Sequence, residues 1–274
     1  MEEGFLERRY GLGNHVALVT GAGQGIGREV ALRLAAENVT VVVNGRTQEK
    51  LDAVVDEIAK MGTKAIGIVA QVERKDEVLA MMDQIIATFG RIDFLVNNAG
   101  VTQPALVKDM TEEQWDTVLG INLKGTFLCS QAAIQHMIKK RFGRIVNILS
   151  IVSFGSQGHV GRANYTASKA GLMALTRTMA QELAVYNIRV NGVGPGYIET
   201  ELLKKVIAKD FLEDVLLDRT PLGRLGQPEE VAEAILFLLS EGSGYITGET
   251  ICIDGGMICG SFFSNKKLQK SFLK

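Results

Sequence analysis

Seven short runs rich in valine and isoleucine recur along this 274-residue chain, separated by stretches with helical apolar spacing. The runs cover residues 16–19, 39–43, 65–69, 92–96, 144–149, 188–193 and 250–253. Runs this short, with little polar alternation, read as strands buried on both faces. Between them, apolar residues fall on one helical face: Ile26, Val30, Ala31 and Leu34 near one end, Val231, Ala234, Ile235, Leu238 and Leu239 near the other. Strands that alternate with helices are joined by right-handed crossovers. The expected fold is therefore α/β, a Rossmann-like, doubly wound, seven-stranded parallel sheet with helices on both faces.

No linker, repeat or low-complexity tract interrupts the rhythm, so residues 1–274 read as a single domain. Two segments depart from it. Residues 197–226 mix charged and apolar side chains (Glu201, Leu202, Leu203, Lys204, Lys205, Val206) and end in Pro221, Gly223 and Gly226, which predicts a lid-like helical excursion. Residues 257–274 place Lys266, Lys267, Lys270 and Lys274 among phenylalanines and read as a frayed or subunit-packing tail.

Charge balance excludes several classes of function. Lys+Arg 30 against Asp+Glu 31 leaves a formal charge of −1, which supplies no basic field for nucleic acid. The N-terminus lacks a basic segment followed by an apolar one, and the apolar runs fall well short of the roughly 18 residues of a membrane span, so a cytoplasmic protein with no membrane partner is expected. Cys129, Cys252 and Cys259, with His15, His136 and His159, lack the spacing of a metal site or a disulfide framework. No metal is expected. The 30 glycines against 4 prolines point instead to close backbone approaches.

One such approach is explicit. The first strand runs into Thr20-Gly21-Ala22-Gly23-Gln24-Gly25-Ile26-Gly27, where a helix begins. A glycine-rich turn between strand and helix lets backbone amides reach a pyrophosphate seated at the positive helix end. The spacing is G-x-x-x-G-x-G rather than G-x-G-x-x-G. Three further motifs follow in order: Asn97-Asn98-Ala99-Gly100 after the fourth strand, Tyr165-Thr166-Ala167-Ser168-Lys169, and Pro195-Gly196 after the sixth.

With these motifs, residues 12 to 257 resemble the short-chain dehydrogenase/reductase family. The resemblance implies a dinucleotide-binding catalytic domain that interconverts a ketone and a secondary alcohol by hydride transfer. Its cofactor-binding residues would be Gly21, Gln24, Gly25, Ile26, Gly27, Arg46, Gln71, Val72, Asn98, Ala99, Gly100, Tyr165, Lys169, Pro195, Gly196, Ile198 and Thr200. Its catalytic residues would be Asn122, Ser150, Tyr165 and Lys169. Tyr165 and Lys169, four apart on a helix, share a face. A tyrosine serves as general acid/base only if its pKa, near 10, falls by about 3 units, and a neighbouring ammonium contributes about 1–3. Lys169 is expected to lower it, aided by the positive charge of an oxidised nicotinamide, and by resemblance to hold the nicotinamide ribose. Ser150 would donate to the substrate oxygen. It precedes Tyr165 by two residues more than is usual in the family, with Ser153 as its rival. Asn122 matches the asparagine that holds a water beside the lysine.

Cofactor choice is read at the end of the second strand, where a carboxylate suits a ribose hydroxyl and an arginine a 2′-phosphate. The run Val43-Asn44-Gly45-Arg46 points to NADP, with NAD the alternative; the turn offers Gln24 and no second basic residue. Gln71 would accept from the adenine amine. For substrate, the resemblance is to 3-oxoacyl-carrier-protein reductases and to sugar-acid and polyol dehydrogenases such as gluconate 5-dehydrogenase. In the acyl reductases two arginines dock acyl carrier protein; Arg141 matches the first, and Tyr186 stands at the second. Most relatives are homotetramers. A methyltransferase would place an acidic residue ahead of the glycines, where Thr20 stands. A non-catalytic cofactor-sensing protein would have lost the tyrosine or lysine.

Overall fold

The computed structural model describes residues 10–155, 160–200 and 217–259. Its strands are β1 (Val16–Val19), β2 (Thr40–Gly45), β3 (Ala65–Val69), β4 (Phe94–Asn97), β5 (Gly143–Ile148), β6 (Ile188–Pro195) and β7 (Thr250–Ile253). They form one parallel sheet in the order β3-β2-β1-β4-β5-β6-β7. The expected doubly wound architecture is present. The chain winds outward from β1 to β3, then returns to place β4 on the other side of β1. That reversal opens a crevice at the C-terminal ends of β1 and β4, the place where such sheets bind ligands.

Alternation along each strand feeds two cores. Ala17 and Val19 of β1, Val41 and Val43 of β2, and Phe94 and Val96 of β4 pack against α1 (Gly25–Ala36), α2 (Gln48–Lys60) and α7 (Pro228–Leu239). Their neighbours Leu18, Val42 and Leu95 meet α3 (Lys75–Phe89), α5 (Thr126–Lys140) and α6 (Ala163–Leu183) on the opposite face. A strand clad on both sides has no use for polar residues, which is why the runs lack alternation. Full burial of each large apolar side chain contributes about 1.5–3 kcal/mol.

The strand limits differ locally from the apolar runs. β4 begins at Phe94 because Asp93, fully buried, turns its carboxylate back to accept from the Val16 amide at 2.9 Å and from Arg91 at 2.6 and 2.8 Å. β6 continues through Pro195, pairing with β7 as far as Ile253.

Between α4 (Glu112–Leu119) and α5 the helix widens into a π-helical turn, Gly120–Gly125. The neck of the expected excursion is closed: Gly226 donates to the Tyr197 carbonyl at 3.0 Å and Glu199 to the Gly226 carbonyl at 2.8 Å. Leu217–Arg219 forms a helical turn. Residues 201–216, the tail lysines and His159 lie outside the described residues. Among the described residues no helix is long and apolar enough to cross a membrane, and no cluster of three metal-binding side chains occurs.

Candidate active site

The turn after β1 is held shut by β4. Asn98 donates through Nδ2 to the carbonyls of Thr20 and Gly21 at 2.9 and 3.1 Å, while the Thr20 hydroxyl accepts from the amides of Asn98 and Ala99 at 3.0 Å each. The strand-to-helix turn and the Asn-Asn-Ala-Gly segment are therefore one unit. Gly27 is where the packing forbids a side chain: a Cβ there would lie 2.6 Å from the Gly21 carbonyl oxygen and against Asn98 Nδ2. Gly21, at φ 63°, also takes a left-handed conformation.

A cavity of about 430 Å³ opens over this unit. Of the residues expected to bind a cofactor, it is lined by Gly21, Gln24, Gly25, Ile26, Arg46, Val72, Asn98, Ala99, Gly100, Tyr165, Lys169, Pro195, Gly196, Ile198 and Thr200. Gly27 and Gln71 do not line it. Gly27 instead lets α1 close on the turn. Gln71 lies just past β3 between Ala70 and Val72, which line the cavity, and its backbone amide donates to Glu77 Oε2 at 2.7 Å.

At the opposite end stand Ser150, Tyr165 and Lys169. Ser150 lies two residues beyond β5, caps the short 3₁₀ turn Ile151–Phe154 by accepting from the Val152 amide at 3.4 Å, and stands close enough to the Tyr165 phenol to favour its ionised form. Its rival Ser153 is buried off the cavity wall, and its hydroxyl has no hydrogen-bond partner among the described residues. The longer spacing to Tyr165 thus leaves the Ser150–Tyr165 contact intact. Lys169 Nζ donates to the Ile148 carbonyl at 2.6 Å and lies 5.8 Å from the Tyr165 ring centroid.

The electrostatics correct one expectation. Burial raises the Tyr165 phenol above its ordinary value. The groups that oppose burial are the Ser150 hydrogen bond and the charge of Arg162, not Lys169. Lys169 itself is pushed down to about 8 by desolvation. A buried ammonium next to a buried phenol pays its own solvation cost before it can lower its neighbour's pKa.

Asn122 stands apart from the cavity wall. It is fully buried in the π-helical turn, where its Oδ1 accepts from the Val101 amide at 2.8 Å and its Nδ2 donates to the Val101 carbonyl at 3.0 Å and to Ser168 Oγ at 3.1 Å. Its side chain is thus spent on the loop after Gly100, one step from Lys169.

Among the cavity residues that no motif assigned to the site, three carry groups that bear on its chemistry. Lys50, in the first turn of α2, donates to Gln24 Oε1 at 2.6 Å and brings a second cation beside Arg46. Asn44 bonds through Nδ2 to the carbonyls of Ile68 and Ala70, leaving Oδ1 without a partner among the described residues. Arg162, the residue before α6, lines the wall near Tyr165. Lys50 and Arg162 lie three or four residues from residues that motifs did flag, but no motif names them.

Known proteins resemble this chain over most of its length. A family model described as enoyl-(acyl carrier protein) reductase matches residues 21–258. A 3-oxoacyl-[acyl-carrier-protein] reductase of Thermotoga maritima is 46% identical over 243 residues, covering 89% of this chain and 97% of its own length. The (2S)-[(R)-hydroxy(phenyl)methyl]succinyl-CoA dehydrogenase subunit of Thauera aromatica is 42% identical over 246 residues, covering 90% and 97%. The structure of a gluconate 5-dehydrogenase from Burkholderia cenocepacia J2315, solved with NADP and tartrate, matches with a TM-score of 0.88 at 36% identity, covering 94% of this chain and all of the other.

Proposed function

The chain belongs to the short-chain dehydrogenase/reductase family and is an oxidoreductase of keto and CH–OH groups, and from that premise we propose an NADP-dependent ketoreductase in which Tyr165 moves the proton. The observation that carries this is the convergence of Ser150, Tyr165 and Lys169 at one end of a cavity whose other end holds the glycine turn with Arg46 and Lys50.

The cavity fits a dinucleotide on its own features. Gly21 and Gly25 line it in left-handed conformations, α1 begins at the turn, and among the described residues Asn44 Oδ1 offers an unmatched acceptor. Arg46 and Lys50 would hold a 2′-phosphate, Lys169 the nicotinamide ribose, and Ile198 and Thr200 the carboxamide. When bound, the cofactor supplies the hydride. The protein's own groups do the rest. Ser150 donates to the substrate oxygen and orients it. Tyr165, kept protonated by burial, gives its proton to that oxygen during reduction and takes it back in the reverse direction. Asn122 acts as a positioning residue that fixes the Gly100–Val101 loop against Lys169.

The first substrate class is 3-oxoacyl thioesters, which the identity to the Thermotoga maritima reductase supports. A sugar-acid or polyol dehydrogenase is the second reading, supported by the likeness to the gluconate 5-dehydrogenase. Docking of an acyl carrier protein would rest on Arg141, whose guanidinium donates to the Val185 carbonyl at 2.8 Å beside Tyr186. A homotetramer in the cytoplasm belongs to the same proposal. An exposed hollow of Leu119, Leu123, Phe127 and Leu175, next to Trp115, supports self-association along α4, α5 and α6.

Titration with NADPH and, separately, NADH, followed by nicotinamide fluorescence, tests the reading. Tight NADPH binding with weak NADH binding, then NADPH oxidation by 3-oxoacyl thioesters, is the expected result. A preference for NADH removes the NADP assignment, and binding of neither removes the reading as a whole.

A further inference from the structure

Five charged side chains line the cavity: Arg46, Lys50, Glu73, Arg162 and Lys169. The dinucleotide reading gives roles to Arg46, Lys50 and Lys169. Arg162 stands at the reacting end, three residues before Tyr165, and the reaction as derived does not use it.

Its backbone is fixed from two directions. Ala105 forms a bridge with Arg162 and donates to the Gly161 carbonyl at 2.9 Å, and the Thr166 amide donates to the Arg162 carbonyl at 2.8 Å. The side chain is half-buried. No ion pair to Arg162 occurs among the described residues, and the first turn of α6 contains no acidic residue. The same cavity is also lined by apolar side chains, among them Val101, Leu149, Ile151, Val152 and Ile198. The guanidinium charge reaches the phenols of both Tyr165 and Tyr197, opposing the effect of burial on each. Thus a cation on a fixed backbone, with no ion-pair partner among the described residues, lines the cavity that holds the general acid. Burying a charge without its partner is costly, and a planar fork of N–H donors matches a carboxylate.

We propose that Arg162 is a specificity-determining residue that docks a carboxylate carried by the substrate, which favours the second substrate reading over the first: the preferred ketones are keto acids with the two groups on one short carbon chain, ahead of 3-oxoacyl thioesters. This deepens the ketoreductase reading and rests on it. Arg162 and Tyr165 line one cavity and the guanidinium charge is felt at the phenol, which keeps the carboxylate near the reacting carbon rather than at the end of a long acyl tail.

The test pairs acetoacetate, 4-oxopentanoate and 5-oxohexanoate with their ethyl esters, using NADPH and the wild-type, Arg162→Gln and Arg162→Lys proteins. In the wild type at least one acid is expected to exceed its ester in kcat/KM by about ten-fold or more, the scale of a charge-assisted hydrogen bond. Arg162→Gln brings that ratio to near one, chiefly through KM, and Arg162→Lys retains part of it. Binding of the same compounds to the NADPH complex, measured by calorimetry, must show the same preference whether or not turnover occurs. Esters favoured over every acid in both measurements overturn the proposal. So does an Arg162→Gln protein that weakens acid and ester alike, which assigns Arg162 to Tyr165 instead of the substrate. Selective binding of the acids without reduction sustains the role of Arg162 and overturns the ketoreductase reading.

Discussion

The ammonium of Lys169 lies 5.8 Å from the centre of the Tyr165 ring and donates to the carbonyl of Ile148 at 2.6 Å. The two side chains share a helix face, as their spacing requires, but both are buried, and burial dominates both pKa values. In the cofactor-free protein Tyr165 is therefore a protonated acid. That is the state needed to deliver a proton during reduction.

Tyr165→Phe removes one hydroxyl from a buried site and leaves the ring in place. Turnover is expected to fall by at least about 10³-fold, with NADPH affinity within a few-fold of the wild type. Steady-state kinetics beside a fluorescence titration read both quantities; normal ketone reduction by this variant refutes the proton-transfer assignment.

Lys169 carries a linked pH signature. Its pKa falls from an ordinary 10.5 to about 8 in the folded protein. Below about pH 8 both folded and unfolded chains hold the proton, and the fold bears the full cost of burying the charge. Between pH 8 and 10.5 the unfolded chain binds more protons, so this contribution to stability rises with pH. Lys169→Met lacks the penalty. Its stability relative to the wild type should be greatest at pH 7 and decline by an amount on the order of 3 kcal/mol toward pH 10.5. Urea unfolding of both proteins at several pH values measures the difference; a gap independent of pH contradicts it.

Lys50 and Arg46 offer a second check on cofactor choice. Replacing either by alanine is expected to weaken NADPH about ten-fold or more and to leave NADH nearly unchanged, because only the 2′-phosphate distinguishes the two. The loss in the Lys50 variant should shrink in high salt, since the side chain is exposed. Equal weakening of both nucleotides points to damage of the turn through Gln24.

Gly27→Ala tests the closure of the turn. A methyl there meets the Gly21 carbonyl oxygen and the Asn98 side chain, both held in hydrogen bonds, so the contact cannot relax cheaply. A stability loss of about 1–3 kcal/mol is expected, together with loss of nucleotide binding. Thermal unfolding with and without NADPH would show it, and an unchanged nucleotide-induced shift speaks against it.

The sheet, its crossovers and the motif residues were legible in the sequence because each depends on local periodicity or short spacing. Apolar runs without alternation imply a strand covered on both faces. A glycine turn between strand and helix implies amides aimed at an anion, and Tyr165 and Lys169 four apart imply a common face. What no spacing revealed is set by packing between distant segments. Lys50 reaches Gln24 only because α2 folds over the first turn. Gln71 stands between Ala70 and Val72, which line the cavity while it does not, with its backbone amide held by Glu77 of α3. Asn122 is taken up by Val101 and Ser168, on elements far from it in the chain. Arg162 becomes a cation in a pocket because the Ala105 segment fixes it and no described acid pairs with it. Short-range pattern thus determined which chemistry the chain carries, and tertiary contacts decided which side chains face it, because burial and hydrogen-bond partners depend on the whole fold.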